Sequence, residues 1–211
     1  MVREQKNNYA ALSGEVIQEP IYSHSAGGED YFTFPLRCLR LSGAEDLLNL
    51  VLSRTQLEQL DGRPGDRVGV IGQVRSYNNH SGQGSKLVIT VRGQTLFPAP
   101  AQEDCNQVRL VGNLCRKPVY RRTPLGREIA DLLLAVNRGC GKADYLPCIA
   151  WGQTAVQIAG MDVGERLALE GRVQSRTYTK LLESGSEERT AFEVSIMQLL
   201  DEEETEETAL L

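Results

Sequence analysis

The sequence predicts an all-β chain of two tandem five-stranded Greek-key barrels, each with a short helix between its third and fourth strands. Three observations lead there. First, the chain contains itself twice: a shift of 98 positions lays residues 11–53 over 109–151 without a gap. Across that shift Leu12, Gly14, Pro20, Tyr22, Gly28, Leu36, Arg40, Gly43, Asp46 and Leu48 all meet identical partners, and after one inserted residue Gly72 and Val74 fall over Gly171 and Val173. Copies of roughly a hundred residues are too long for solenoid repeats and suit separate small domains. Second, each copy reads as short alternating apolar segments punctuated by Gly and Pro, the signature of strands. Third, only one stretch per copy has a helical pattern, and it follows the third strand.

In the second copy the first strand is expected near 107–117, halted by Pro118, and the second near 127–138, between Gly126 and Gly139. A third strand at 144–152 alternates strictly, a helix follows at about 153–161, and strands at 165–178 and 189–200 complete the set. The first copy repeats this order. Five strands with the helix in that place is the order of the oligonucleotide/oligosaccharide-binding barrel. The expected divisions are an N-terminal domain at 1–97, a short Pro-containing linker at 98–106, a C-terminal domain at 107–200 and an acidic tail at 201–211 too charged to pack.

Bulk composition narrows the function classes. At 211 residues and 41% hydrophobic content the chain can bury two modest cores. No apolar stretch approaches the ~20 residues of a membrane span, and the N-terminus lacks the apolar centre of a secretion signal, so a soluble, cytoplasmic protein is expected. Five cysteines without a CxxC pair read as reduced packing thiols rather than disulfide or zinc ligands. The net charge of −5 conceals a division: the tail holds six acids and no base, whereas 109–180 carries twelve Lys/Arg against six Asp/Glu. A local basic excess of that kind fits a polyanion.

Enzymatic chemistry finds no support. His24 and His80 lie in polar, turn-like segments and read as exposed loop residues, and 81–86 lacks phosphate-loop spacing. No carboxylates cluster to hold a metal, so neither cofactor nor catalytic residue is expected.

Alternation points instead to a binding surface. Along 145–151, Leu146, Cys148 and Ala150 face one way, and Tyr145, Pro147, Ile149 and the chain's single tryptophan, Trp151, face the other. Along 166–178, Leu167, Leu169, Gly171 and Val173 face inward, and Arg172, Gln174, Arg176 and Tyr178 face outward. Rings and guanidinium groups on one surface suit single-stranded nucleic acid, whose unpaired bases stack and whose phosphates need cations. The competing reading is that Trp151 and Tyr145 cover apolar surface at a subunit or helix contact.

Residues 110–138, with Val111-Gly112-Asn113-Leu114, Arg116-Lys117-Pro118, Thr123-Pro124-Leu125-Gly126 and Leu134-Ala135-Val136-Asn137-Arg138, resemble the first two strands of the bacterial single-stranded DNA-binding protein family. The segments 147–152 (PCIAWG) and 169–178 (LEGRVQSRTY) resemble its third and fourth strands. The resemblance, strongest over 107–200, implies sequence-independent binding of single-stranded DNA, protecting exposed strands in replication, recombination or repair. It implies stacking roles for Tyr145, Trp151 and Tyr178 and a phosphate contact at Arg176, joined by Arg172, Arg122, Arg121, Arg138, Lys142 and Lys180. His80 and Lys86 occupy a loop that embraces DNA in the family. Four barrels per assembly are usual there, so a homodimer of this two-barrel chain is expected.

The first copy keeps its inward Leu48, Leu50 and Leu52 but has Leu47 for the tyrosine and Ser53 for the tryptophan, leaving Tyr77 with Arg75 nearby. It is expected to bind DNA weakly or to serve as an assembly surface, with Leu47 and Val51 as contacts. The tail keeps acids followed by apolar residues but lacks the family's proline-phenylalanine tip, so recruitment of replication and repair proteins through it is expected to be weak. Gln153 and Val163 stand where lysines are common, which reduces affinity and its salt dependence. The alternative from another class is a primosome-like protein-interaction scaffold with little DNA binding.

Overall fold

The computed structural model describes residues 7–59, 63–79, 85–99, 104–139, 141–182 and 185–201. The first copy contains β1 (Asn8–Val16), β2 (Ile21–Ala26), β3 (Glu29–Leu39), β4 (Glu45–Ser53), α1 (Arg54–Gln59), β5 (Arg67–Asn78) and β6 (Leu87–Pro98). The second contains β7 (Cys105–Leu114), β8 (Val119–Arg122), β9 (Glu128–Asn137), β10 (Ala143–Trp151), α2 (Gly152–Ala159), β11 (Arg166–Leu182) and β12 (Gly185–Leu199). The five expected strands and the helix all form. Each copy adds a short strand, β2 or β8, that the sequence pattern did not reveal, because every residue of both is exposed and no inward alternation marks them.

The chain divides into two compact units. One is Ala10–Arg75 with Ile89–Gln107; the other is Val108–Leu211 with Met1–Tyr9 and Ser76–Val88. In the first barrel the strands run β2-β3-β4-β6-β5-β1, and β3 also pairs with β1. In the second they run β7-β11-β12-β10-β9-β8, and β9 also pairs with β7. β4–β6 and β10–β12 are parallel, whereas β1 with β3 and β5, β3 with β2 and β4, β9 with β7, β8 and β10, and β11 with β7 and β12 pair antiparallel. This is the oligonucleotide/oligosaccharide-binding barrel, twice.

The inward residues expected from alternation form the cores. Leu48, Leu50 and Leu52 in one barrel, and Leu146, Cys148, Ala150, Leu167, Leu169 and Val173 in the other, are all buried. Two pairs of glycines shared by the two copies, Gly14 with Gly112 and Gly72 with Gly171, stand where strands pass too closely for a side chain. A Cβ on Gly112 would overlap the Ala135 carbonyl oxygen, and one on its counterpart Gly14 would overlap that of Arg37. These clashes are with backbone, so the glycines are required for closure rather than for turning.

Two buried carboxylates repeat across the copies. Arg40 donates from Nε and Nη2 to Asp46, both at 2.6 Å, and Arg138 makes the same two-pronged pairing with Asp144. Both aspartates are fully buried, so removing either arginine would strand a charge in apolar surroundings. Cys38 and Cys148 are buried and Cys105 and Cys115 half-buried, all as free thiols. Burial pushes the Cys38 thiol up to about 12 and that of Cys148 higher still.

Candidate nucleic-acid interface

The outward side of the second barrel is built by strand register. Trp151 ends β10 at 42% exposure, and Tyr145, six residues earlier on the same face, is 51% exposed. At strand rise this places them about 20 Å apart along the strand. Trp151 stands opposite Ile129 on β9, which stands opposite Arg121 on β8, so one cross-strand row reads Arg121, Ile129, Trp151. Trp151 also occupies the N-cap of α2, with extended backbone and no side-chain cap. The position therefore forgoes the usual hydroxyl or carboxylate cap and presents an indole instead.

On β11, Tyr178 pairs across the strands with Arg189 and Arg176 with Ala191. The Arg176 guanidinium lies 5.9 Å from the Tyr178 ring centre, within cation–π range. Arg189 is fixed by two hydrogen bonds donated to Glu187, at 3.0 and 2.8 Å, which hold its guanidinium above the usual arginine value. Parallel pairing of Cys148 with Val194 aligns β10 with β12, and extending that register brings Tyr145 toward the Ala191–Arg176 pair. Tyr145, Arg176 and Tyr178 thus share a face, with Trp151 farther along it.

The other expected residues fall into different settings. Arg122 is exposed at the β8–β9 turn, where its Nε donates to the Gly126 carbonyl at 3.3 Å. Arg121 is ion-paired with Asp131 at 2.9 Å, and Lys142 is exposed. Arg138 is committed to Asp144. Arg172 is half-buried, and its Nε is enclosed without a hydrogen-bond partner. Arg75 is half-buried and bonded to Gln73. His80, the Lys180 side chain and the tail from 202 lie outside the described residues.

Several assignments change. Ile149 shares the outward side with Trp151 but is only 6% exposed, and Val51 is likewise covered, so neither offers a surface contact. His24, expected in a loop, lies on β2. Tyr77 falls in the unit that contains the second barrel: the Ser76 amide donates to Asp144 Oδ1 at 2.7 Å, the Ser76 Oγ accepts from the Tyr145 amide at 2.8 Å, and Arg138 donates to the Ser76 carbonyl at 3.1 Å. Exposed Tyr77 is therefore delivered beside the start of β10. Sequence reasoning missed Tyr120, exposed on β8, although its identity with Tyr22 across the repeat was the available signal.

Among the described residues no group of three or more His, Cys, Asp or Glu could hold a metal, and no helix is long and apolar enough to cross a membrane. Residues 105–200 match the family model described as the single-strand binding protein family. The chain is 40% identical over 80 residues to single-stranded DNA-binding protein B of Bacillus subtilis, covering 35% of this chain and 71% of that one. It is 35% identical over 99 residues to the single-stranded DNA-binding protein of Halalkalibacterium halodurans, covering 44% and 56%. The chain thus spans about half the length of several curated relatives. In overall fold it is similar to the crystal structure of the single-stranded DNA binding protein from Thermus aquaticus, with a TM-score of 0.74 and 24% identity over 92% of this chain and 91% of that one.

Proposed function

The chain belongs to the single-strand binding protein family, and on that premise we propose that its second barrel binds single-stranded DNA without sequence preference, covering exposed strands in replication, recombination or repair. The observation that carries the reading is the outward face holding exposed Tyr145 and Trp151 with Arg176 and Tyr178. Unpaired bases stack on the rings at roughly 1–3 kcal/mol each, and the surrounding cations meet phosphate. Arg176, Arg122 and Lys142 contact the backbone, and Arg121 does so by exchanging Asp131 for phosphate. Arg138 acts at one remove, by holding Asp144 and through it the Ser76 strand that carries Tyr77.

The proposal extends to organisation. Along the sequence, 1–97 and 107–200 each carry one barrel domain, with Ser76–Val88 of the first stretch belonging to the unit of the second; a homodimer brings four barrels together in the cytoplasm, and the acidic tail weakly attracts replication and repair proteins. The protein acts by binding rather than by catalysis. Because Trp151 is the only tryptophan, titration with an unlabelled thymidine oligonucleotide is expected to quench its emission, and added salt to restore it. Emission that stays constant through the titration overturns the reading in favour of a protein-interaction scaffold. Sedimentation mass tests the dimer.

A further inference from the structure

The start of β10 is held from outside its own hairpin. The β9–β10 turn closes through the Arg138 amide, which donates to the Lys142 carbonyl at 2.7 Å, and Asn137 faces Ala143 as the last pair before it. Two segments remote in sequence then fasten this end, and both belong to the same compact unit as β10. Asn7 donates from Nδ2 to the Asn137 carbonyl at 2.8 Å, and its own carbonyl accepts from the Val111 amide at 2.9 Å. Ser76 makes three bonds: its amide donates to Asp144 Oδ1, its carbonyl accepts from Arg138, and its hydroxyl accepts from the Tyr145 amide at 2.8 Å.

The last of these bonds bears on the binding face. β10 pairs with β9 from Ala143 to Trp151, whereas its pairing with β12 covers Cys148 and Ile149. Tyr145 lies before that stretch, and its amide is taken by a side chain, the Ser76 hydroxyl. Without that acceptor the amide turns toward water, and the Cα that carries the ring turns with it.

Ser76 can serve as a fixed point because it is itself held. It is 7% exposed, and Asp144, which takes its amide, is fully buried and gripped by two nitrogens of Arg138. Tyr145 instead puts 51% of its surface in solvent, so the backbone beneath it sets the direction of the ring more than packing does. A ring oriented beforehand loses less entropy when a flat ligand stacks on it.

Resting on the single-stranded DNA reading above, we propose that Ser76 is a positioning residue for Tyr145: its hydroxyl touches no nucleic acid, and it fixes the β10 amide so that the exposed ring stands ready for a base. The rival route runs through Tyr77, its exposed neighbour. The test is a set of double-mutant cycles in the full chain, with affinity for a labelled thymidine oligonucleotide of about 12 nucleotides read by anisotropy. Tyr145→Ala alone is expected to weaken binding about 5- to 100-fold. Ser76→Ala alone should weaken it about 2- to 10-fold, the worth of one hydrogen bond. In the Tyr145→Ala background the same serine change should alter affinity by less than about twofold, because the ring it served is gone. Joined to Tyr77→Ala it should keep its full effect. The slope of log affinity against log salt stays unchanged, since no cation is removed. Ser76→Thr, which retains the hydroxyl, restores binding. A general weakening of the fold would act alike in every background, so the cycles separate it from ring placement.

Losses that add in full when Ser76→Ala is joined to Tyr145→Ala, coupling to Tyr77 in place of Tyr145, or wild-type affinity in the Ser76→Ala chain overturns the inference and leaves the second barrel's function standing. Wild-type affinity in the Tyr145→Ala chain instead defeats the parent reading of that ring, and this inference with it.

Discussion

The ends of β4 and β10 are the same place in two copies of one domain, and they serve opposite purposes. Ser53 turns inward to the first turn of α1, exchanging hydrogen bonds with Gln56, which also donates to the Gly93 and Gln94 carbonyls at 3.1 and 3.0 Å. Trp151 leaves α2 without a side-chain cap and faces solvent. The eight-residue α2 does without one because Ala155 and Ile158 anchor it in the core, whereas the six-residue α1 buries no residue and depends on its polar ties. The lesson is that a helix secured by packing frees its cap position for an exposed ring, and a helix secured by hydrogen bonds does not.

The largest expected effect tests what supports the binding face. Asp144→Ala leaves Arg138 without its carboxylate and the Ser76 amide without its acceptor, and is expected to cost about 3–5 kcal/mol in urea unfolding. A loss below about 1 kcal/mol, the range of an exposed pair, would mean that the pair is far better solvated than its burial implies. Next, Trp151→Ala should lower oligonucleotide affinity by about 1–3 kcal/mol, monitored by anisotropy of a labelled strand. Ser53→Ala should instead cost about 1 kcal/mol of stability through removal of the cap and leave short-oligonucleotide affinity alone. If the serine change weakened that binding and the tryptophan change did not, the contrast between the copies would be reversed.

Arg176→Ala should act through salt dependence, reducing the slope of log affinity against log salt by about 0.7, the share of one neutralised phosphate on a single strand. An unaltered slope would place Arg176 away from the sugar–phosphate chain. The smallest effect concerns the thiols. Since burial holds Cys38 near 12 and pushes Cys148 up as well, their thiolates form only far above neutral pH, and alkylation at pH 8 should reach half-buried Cys105 and Cys115 ahead of both. Early labelling of Cys38 or Cys148 would reveal a barrel that opens easily.

The barrels were legible because alternation has a fixed period and duplication doubles the evidence. Leu146, Cys148 and Ala150 face the core as their spacing predicts, and the tyrosine and tryptophan face away. What escaped detection depends on neighbours distant in sequence. β8 has no buried residue to betray it; Ile149 and Val51 have the right parity for exposure but are covered. The docking of Ser76 on Asp144 spans 68 residues. Arg138 matched the family's motif as well as Arg176 did, and only the structure separates a cation held internally from one facing solvent.

The Ser76–Asp144 linkage also has a consequence for biosynthesis. Ribosomes deliver the N-terminus first, so the serine emerges well before the aspartate it will join, and at typical elongation of about 5–20 residues per second the interval is several seconds. During that time Ser76 is part of a nascent segment with its acceptor still untranslated. The unit that holds Asp144 is therefore completed only by capturing a strand end already made.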